Sequence, residues 1–307
     1  MAENVKFRPS DANHITRSYL DSILIEERLI DSGIPSTKIE LFGETYETPI
    51  MTPAFSHLHV FAPEREDGMC EYARGAKNIG ALNWVGMSEN EEFGRIAATG
   101  ARTVRIAKPY ADRDKILDQF AFAESVGAVA VGIDIDHSYS GKGGYDLVQG
   151  EKMTGLSSAD LRELVSSTRL PVVIKGVLSV QDAVKCAENG VQGILVSHHH
   201  GRMPFAIPPL MVLPEIVKAV GGRMKIFVDC SIDTGADAYK ALALGADAVA
   251  VGRALMQPII DEGALGVEKY MRRMNDELSM IMAFTGCKTV QDIEPTALWI
   301  NGRRCEK

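Results

Sequence analysis

From Thr48 onwards the chain repeats one pattern eight times: a short apolar run rich in valine and isoleucine, then a segment with helical periodicity. Short continuous apolar runs predict strands buried on both faces, which belong to a parallel sheet covered by helices. The runs are 49–53, 81–85, 103–107, 128–134, 171–175, 193–197, 225–229 and 246–251. Helices are expected at 68–78, 90–99, 113–126, 157–167, 180–189, 209–220 and 235–244, with a last one over 266–285. Eight strand–helix units are the arithmetic of a (β/α)8 barrel. An open doubly wound sheet is the competing arrangement, but no Gly-x-Gly-x-x-Gly follows the first strand. The lead-ins Ala187 to Gly193 and Ala243 to Asp247 support the barrel, because each ends a helix at a glycine and turns directly into a buried strand. The expected fold class is therefore α/β, a single TIM barrel with a short N-terminal helical extension.

That extension covers residues 1–40, with helical periodicity around Ile15, Tyr19, Ile23 and Leu24 and a turn at 31–35; the barrel takes 41–307. A balance of 33 basic against 41 acidic residues, net −8, argues against nucleic acid or an anionic membrane as partner. The five cysteines are widely spaced, with no Cys-x-x-Cys pair, and read as reduced thiols rather than a disulfide framework. The first residues lack the apolar core of a signal peptide, and no apolar run reaches membrane-spanning length, so a cytoplasmic protein is expected. The longest internal connection, 136–156, contains Ser140-Gly-Lys-Gly-Gly144 and reads either as a lid over the site or as a disordered surface excursion.

In a barrel of this type the chemistry sits where the strands end. Those ends carry Thr52, Ala54, Ser56 and His57, then Asn83, Lys108, Asp134, Asp136 and His137. Lys175, Ser197, His199, Arg202, Asp229, Ser231, Gly252 and Arg253 follow. A lysine ending a buried strand, as Lys175 does, must meet an anion or lose its charge. In Ser197-His-His-His-Gly-Arg202, strand alternation would send His199 to the side opposite His198 and His200. A histidine there suits a general base near neutral pH, and Arg202 suits a carboxylate or phosphate. Val251-Gly-Arg253 after the last strand is a candidate anion site.

Ile174-Lys-Gly176, Leu195-Val-Ser-His-His-His-Gly-Arg202, Val228-Asp229, Asp237 to Ala246 and Val251-Gly-Arg253 together resemble the FMN-dependent α-hydroxy acid oxidase/dehydrogenase family. The resemblance is strong over 171–253 and weaker from Leu41-Phe-Gly43 to Asp112-Arg113. It implies FMN as cofactor, His199 as the base, Arg202 as carboxylate anchor and Lys175 as the cation beside the flavin N1/O2 edge. His199 would take a proton from a small 2-hydroxy acid while a hydride equivalent passes to flavin N5. Ala54, Asn83, Lys175, Ser197, Asp229, Ser231, Gly252 and Arg253 would hold the cofactor. Lys108, His198, His200 and Arg202 would meet a small anionic substrate. A homotetramer is the assembly the resemblance implies.

Several positions depart from the family pattern. His198 and His200 replace an asparagine and a glycine; Cys230-Ser231 replaces a pair of glycines. Asp233 stands where the family has an arginine, and Lys108 falls where its catalytic tyrosine is expected. Two other readings stay open on sequence alone. One is a flavin-free, metal-dependent lyase or hydrolase drawing ligands from His57, His59, His198, His200, Asp134 and Asp136. The other is a barrel that binds a phosphorylated ligand without turnover. The metal reading lacks a recognised ligand spacing, and no metal ligands are assigned.

Overall fold

The computed structural model describes residues 9–306; the first eight residues of the expected extension lie outside them. Eight parallel strands form the core: β1 (Ile50–Met51), β2 (Asn83–Val85), β3 (Thr103–Ala107), β4 (Ala130–Asp134), β5 (Val172–Val177), β6 (Gly193–Val196), β7 (Lys225–Val228) and β8 (Ala248–Ala250). Neighbours pair from β2 round to β8, and β8 pairs with β1. The remaining gap is bridged by Phe55 against Val85, with the Thr52 amide donating to Leu82 O at 3.3 Å and the Gly86 amide to Phe55 O at 2.7 Å. Every predicted run overlaps its strand and seven contain it whole, while β5 runs two residues past the expected end at 175. The first run shrinks to two residues between Pro49 and Pro53, which carry no amide hydrogen for a ladder.

Helix α1 (Ala12–Ser22) precedes the barrel. Around it lie α2 (Gly68–Asn78), α3 (Asn90–Ala98), α4 (Arg113–Ser125), α5 (Ser158–Ser166), α6 (Val180–Glu188), α7 (Pro209–Val220), α8 (Gly235–Ala243) and α9 (Ala264–Phe284). All the predicted helices form, and α9 starts two residues earlier than expected. Their starts are set locally: the side chains of Ser157, Ser179 and Thr234 accept from backbone amides three residues on.

The barrel interior is filled rather than hollow. Trp84 and Phe227 pack edge to face at 5.3 Å, and Phe42 reaches Phe227 at 5.9 Å from below. Phe42 comes from an antiparallel hairpin, Ile39–Leu41 with Glu44–Tyr46, that plugs the N-terminal end. Its two-residue turn, Phe42-Gly43, has φ of 52° and 81°, the left-handed pair such hairpins use. Burying each large apolar side chain here contributes about 1.5–3 kcal/mol.

The extension is more than a helix and connector. Leu24–Ile25 pairs antiparallel with Leu298–Ile300, tying the two ends of the chain together. Helix α1 lies across the loops after β6 and β7, where Arg17 binds Asp237 and Lys240 donates to Leu20 O at 2.8 Å. The sequence pattern does not show this, because the buried stripe of Ala12, Thr16 and Leu20 says only that α1 is packed, whereas its place is set by polar contacts with residues far along the chain.

Candidate active site

Parallel register gathers the charges. Lys175 on β5 lies beside Asp134 on β4 and Leu195 on β6. Ala107 on β3 lies beside Ile133, so the next residue, Lys108, is level with Asp134. The Lys108 ammonium donates to Asp134 Oδ2 at 2.7 Å. Lys175 Nζ lies 3.5 Å from Asp134 Oδ1 and 3.3 Å from Asp136 Oδ2. Gly176 makes the second contact possible: its φ is 97°, and a β-carbon there would sit 2.3 Å from Asp136 Oδ2. The Lys-Gly pair is thus one device, a cation followed by room for its counter-ion.

His199 closes the cluster. Its Nδ1 is 2.8 Å from Lys175 Nζ and 3.3 Å from both Asp134 Oδ1 and Asp136 Oδ2. Strand alternation is not what aims it, because β6 ends at Val196 and the three histidines lie in a turn. His199 and His200 both have left-handed φ, 45° and 56°, and the His199 amide donates to Ser197 Oγ at 3.0 Å. Burial and the Lys175 charge oppose protonation of His199, but Asp134 and Asp136 outweigh them and hold its pKa above the ordinary histidine value. Burial likewise opposes charge on Lys175, and the carboxylates again win, leaving it a firm cation. Asp134 is driven well below the usual carboxylate range, its burial overcome by Lys175, Lys108 and His199. Burial pulls Lys108 down despite Asp134.

His198 and His200 do not join this cluster. His198 is buried, accepts from the Gly201 amide at Nδ1 (3.0 Å) and therefore carries its proton on Nε2, which meets Thr16 Oγ1 on α1 at 2.8 Å. Both nitrogens are committed, so the expected substrate contact from His198 is replaced by a clamp on α1. His200 is exposed, near Arg253, with burial and that guanidinium lowering its pKa to about 4. Asn83 and Ser197, expected to hold the cofactor, are also fully buried. Asn83 accepts from Thr52 Oγ1 at 2.8 Å and donates to Thr103 Oγ1 at 3.2 Å, and Ser197 Oγ supports His199. They brace strand ends rather than offer free polar groups.

Arg202 reaches the loop after β4. It donates to Asp146 Oδ2 at 2.7 Å and to Tyr139 O at 3.0 Å, and Nη1 lies 3.1 Å from His137 Nδ1. His137 stands edge to face with His199 at 4.7 Å; burial and Lys108 lower its pKa to about 4, so it is neutral. The loop is ordered by a small hairpin, Leu147–Val148 with Glu151–Lys152, and by Tyr139 stacked on Tyr145 at 5.7 Å. A disordered excursion is therefore excluded. The flavin resemblance assigns no role to Asp134, Asp136 or His137, although the run Ile133-Asp-Ile-Asp-His137 places all three at a strand end.

Asp134, His137 and His199 could converge on a metal ion, their ligand atoms lying within 4.8 Å of one another. An ion bridging them would meet the Lys175 ammonium, 2.8 Å from His199 Nδ1, so two lysines already supply the positive charge these groups attract. His57 lies apart from this trio, with its Nδ1 2.9 Å from Ser56 Oγ and its Nε2 2.8 Å from Gln149 Nε2. A cavity of about 580 Å³ opens at the other end of the barrel, around Phe42 and Lys225, where no comparable charge cluster stands among the described residues.

The turn after β7 has a different character. Cys230 and Ser231 hold left-handed φ of 70° and 59°, and Cys230 Sγ donates to Asp229 Oδ1 at 2.9 Å. Asp233 lies beside Gly252, its Oδ1 3.1 Å from where a β-carbon would stand; burial and Asp237 raise its pKa. Arg17 from α1 donates to Ser231 O at 3.0 Å and grips Asp237 with two nitrogens, at 3.0 and 2.7 Å. Arg253 is exposed and forms no ion pair among the described residues.

Comparison with known proteins gives this arrangement a lineage. The family described as FMN-dependent dehydrogenase matches residues 11–155 and 146–300. An L-lactate oxidase of Lactobacillus jensenii is 30% identical over 88% of this chain and 73% of its own. Glycolate oxidase of Spinacia oleracea is 30% identical over 90% of this chain and 84% of its own. A solved mandelate oxidase variant carrying a C4a-OH-FMN adduct superposes with a TM-score of 0.86 at 27% identity, covering 96% of this chain and 92% of that one. The chain belongs to the FMN-dependent dehydrogenase family.

Proposed function

We propose that the protein oxidises a small 2-hydroxy acid to the 2-oxo acid, using FMN, with His199 as the base. The observation that carries this reading is His199 Nδ1 facing two carboxylates at 3.3 Å, the buried Asp134 and the partly buried Asp136. With Nδ1 donating to Asp134 or Asp136, Nε2 is bare and can accept a proton from substrate. The imidazolium that results is stabilised where it forms, because Asp134 and Asp136 already hold the opposite charge. Lys175 competes for the same nitrogen at 2.8 Å, so drawing its ammonium towards another anion favours the productive tautomer.

The residues present fit FMN. Lys175 is a buried cation at the mouth, and Arg253 with Gly252 offers an unpaired guanidinium and an open backbone at the end of β8. Cys230 and Ser231 keep a left-handed backbone that costs about 1–2 kcal/mol per non-glycine residue, as expected of a turn whose shape is required. Asp233 opposes a phosphate there, and Arg17 returns a positive charge to the same turn. FMN, when bound, supplies the two-electron acceptor; binding, orientation and proton transfer belong to the residues named.

The lactate, glycolate and mandelate oxidase relatives support a hydroxy acid as substrate class. Free cysteines at 70, 186, 230, 287 and 305 support a reducing, cytoplasmic setting. Exposed Ile30 and Ile34 are apolar side chains that assembly into a homo-oligomer would cover. The test is a panel of glycolate, L-lactate and mandelate offered to FMN-loaded protein, with the 2-oxo acid measured. Product from at least one, lost in His199→Ala, supports the reading; product from none contradicts it.

A further inference from the structure

Arg202 is the carboxylate anchor that the resemblance implies, yet it already holds a carboxylate. Asp146 Oδ2 accepts from Arg202 Nη2 at 2.7 Å, and the same guanidinium donates to Tyr139 O. Leu147 holds Asp146 in place, its amide donating to Oδ1 at 3.0 Å, and His137 Nδ1 lies 3.1 Å from Oδ2. The Arg202 and Asp146 side chains are 29% and 17% exposed, so the pair is partly shielded from water and yet reachable. Three residues further along the same hairpin, Gln149 touches His57 on the far side of the mouth, at 2.8 Å. The segment therefore spans from the loop after β6 to the loop after β1, tied at each end by a polar contact.

We infer that Asp146 is a built-in competitor for the substrate carboxylate, so that an anionic substrate binds Arg202 by displacing Asp146 and releasing the hairpin. This rests on the reading of Arg202 as anchor and adds a specificity element on the opposing loop. A carboxylate on Asp146 and one on the ligand cannot both take the same guanidinium edge, and their like charges repel. Affinity for small acids is thereby lowered, and ligands able to offer two oxygens at once to Arg202 are favoured over weaker anions. Only the hairpin has to move, because its C-terminal end is held to the loop after β3 by Ala111 N to Lys152 O and Thr154 N to Pro109 O, at 2.8 and 2.9 Å.

The test is calorimetric titration of oxalate into FMN-loaded protein, which needs no turnover. Asp146→Asn keeps the side-chain shape and removes the charge; Asp146→Ala removes the acceptor as well. Both are expected to bind oxalate about three- to tenfold more tightly than the unaltered protein, the range set by one partly exposed ion pair. Gln149→Ala should tighten binding less. Unchanged or weaker binding in both Asp146 variants, with unaltered melting temperatures, overturns the inference. Arg202→Met separates the two layers. Loss of oxalate binding in it upholds the anchor, so a failure of the Asp146 variants then counts against the competitor alone. Full binding in Arg202→Met overturns anchor and competitor together.

Discussion

The two halves of the barrel mouth have been treated differently. At the ends of β3 to β6, four charged side chains and one histidine lock together at 2.7–3.5 Å. After β7 and β8, Cys230, Ser231 and Asp233 stand where the family resemblance implies two glycines and an arginine, and the nearby guanidinium of Arg17 arrives from outside the barrel. The first half gains its properties from three residues level with one another in the strand register, Lys108, Asp134 and Lys175, joined by Asp136 and His199 from the turns just beyond. The second pairs a left-handed backbone with the non-glycine side chains of Cys230 and Ser231 and is braced by Arg17 from α1. Proton chemistry, which needs exact pKa relationships, tolerates less change than anion binding, which can draw charge from any direction.

Removing the centre of the first half should do most damage. His199→Ala is expected to lower kcat/KM at least about 100-fold, and up to about 10⁴-fold, the usual worth of a positioned base. A loss below tenfold in steady-state assays would break the contrast. Next, Arg17→Ala leaves the nearly buried Asp237 carboxylate without its bidentate partner and should cost about 2 kcal/mol of stability, discounted for the partial exposure of Arg17. Urea unfolding measures this, and FMN affinity should fall with it. If stability and affinity both hold, the second half does not depend on α1.

Lys108→Met tests coupling within the first half. His199 acts as a base only when neutral, and its pKa is already raised, so activity is lost as pH falls through that raised value. Taking a cation off Asp134 strengthens that carboxylate's hold on imidazolium. The acid limb of kcat/KM should therefore move to higher pH; a limb that stays put, or moves down, contradicts the coupling. Smaller effects belong to the second half. Asp233→Asn should tighten FMN binding about three- to tenfold, read by fluorescence titration. Cys230→Gly should be neutral to stabilising by about 1 kcal/mol, because glycine takes positive φ without strain.

The same contrast marks what could be read from the sequence. Eight strands, their helices and the polar residues ending them follow from hydrophobic periodicity and turn chemistry, so Lys175, His199 and Asp134 were visible as strand ends. Strand alternation, the expectation from sequence, is not what separates His199 from His198; a left-handed turn does so. The clamp of His198 on Thr16, the Arg17 graft onto Asp237 and the pairing of Arg202 with Asp146 were not legible. Each joins residues 56 or more positions apart through one or two polar contacts, and such contacts leave no periodic trace. The plug around Phe42 escaped for a related reason: its two strands are three residues long, too short to show a period.

The central claim is that His199, held by Asp134 and Asp136, takes the substrate proton in an FMN-dependent oxidation. Anaerobic mixing of FMN-loaded protein with whichever of glycolate, L-lactate or mandelate it turns over, followed by flavin absorbance, tests it directly. The account predicts that the unaltered protein bleaches while His199→Ala, loaded with the same flavin, stays yellow over the same interval. Equal bleaching in the two proteins would contradict it.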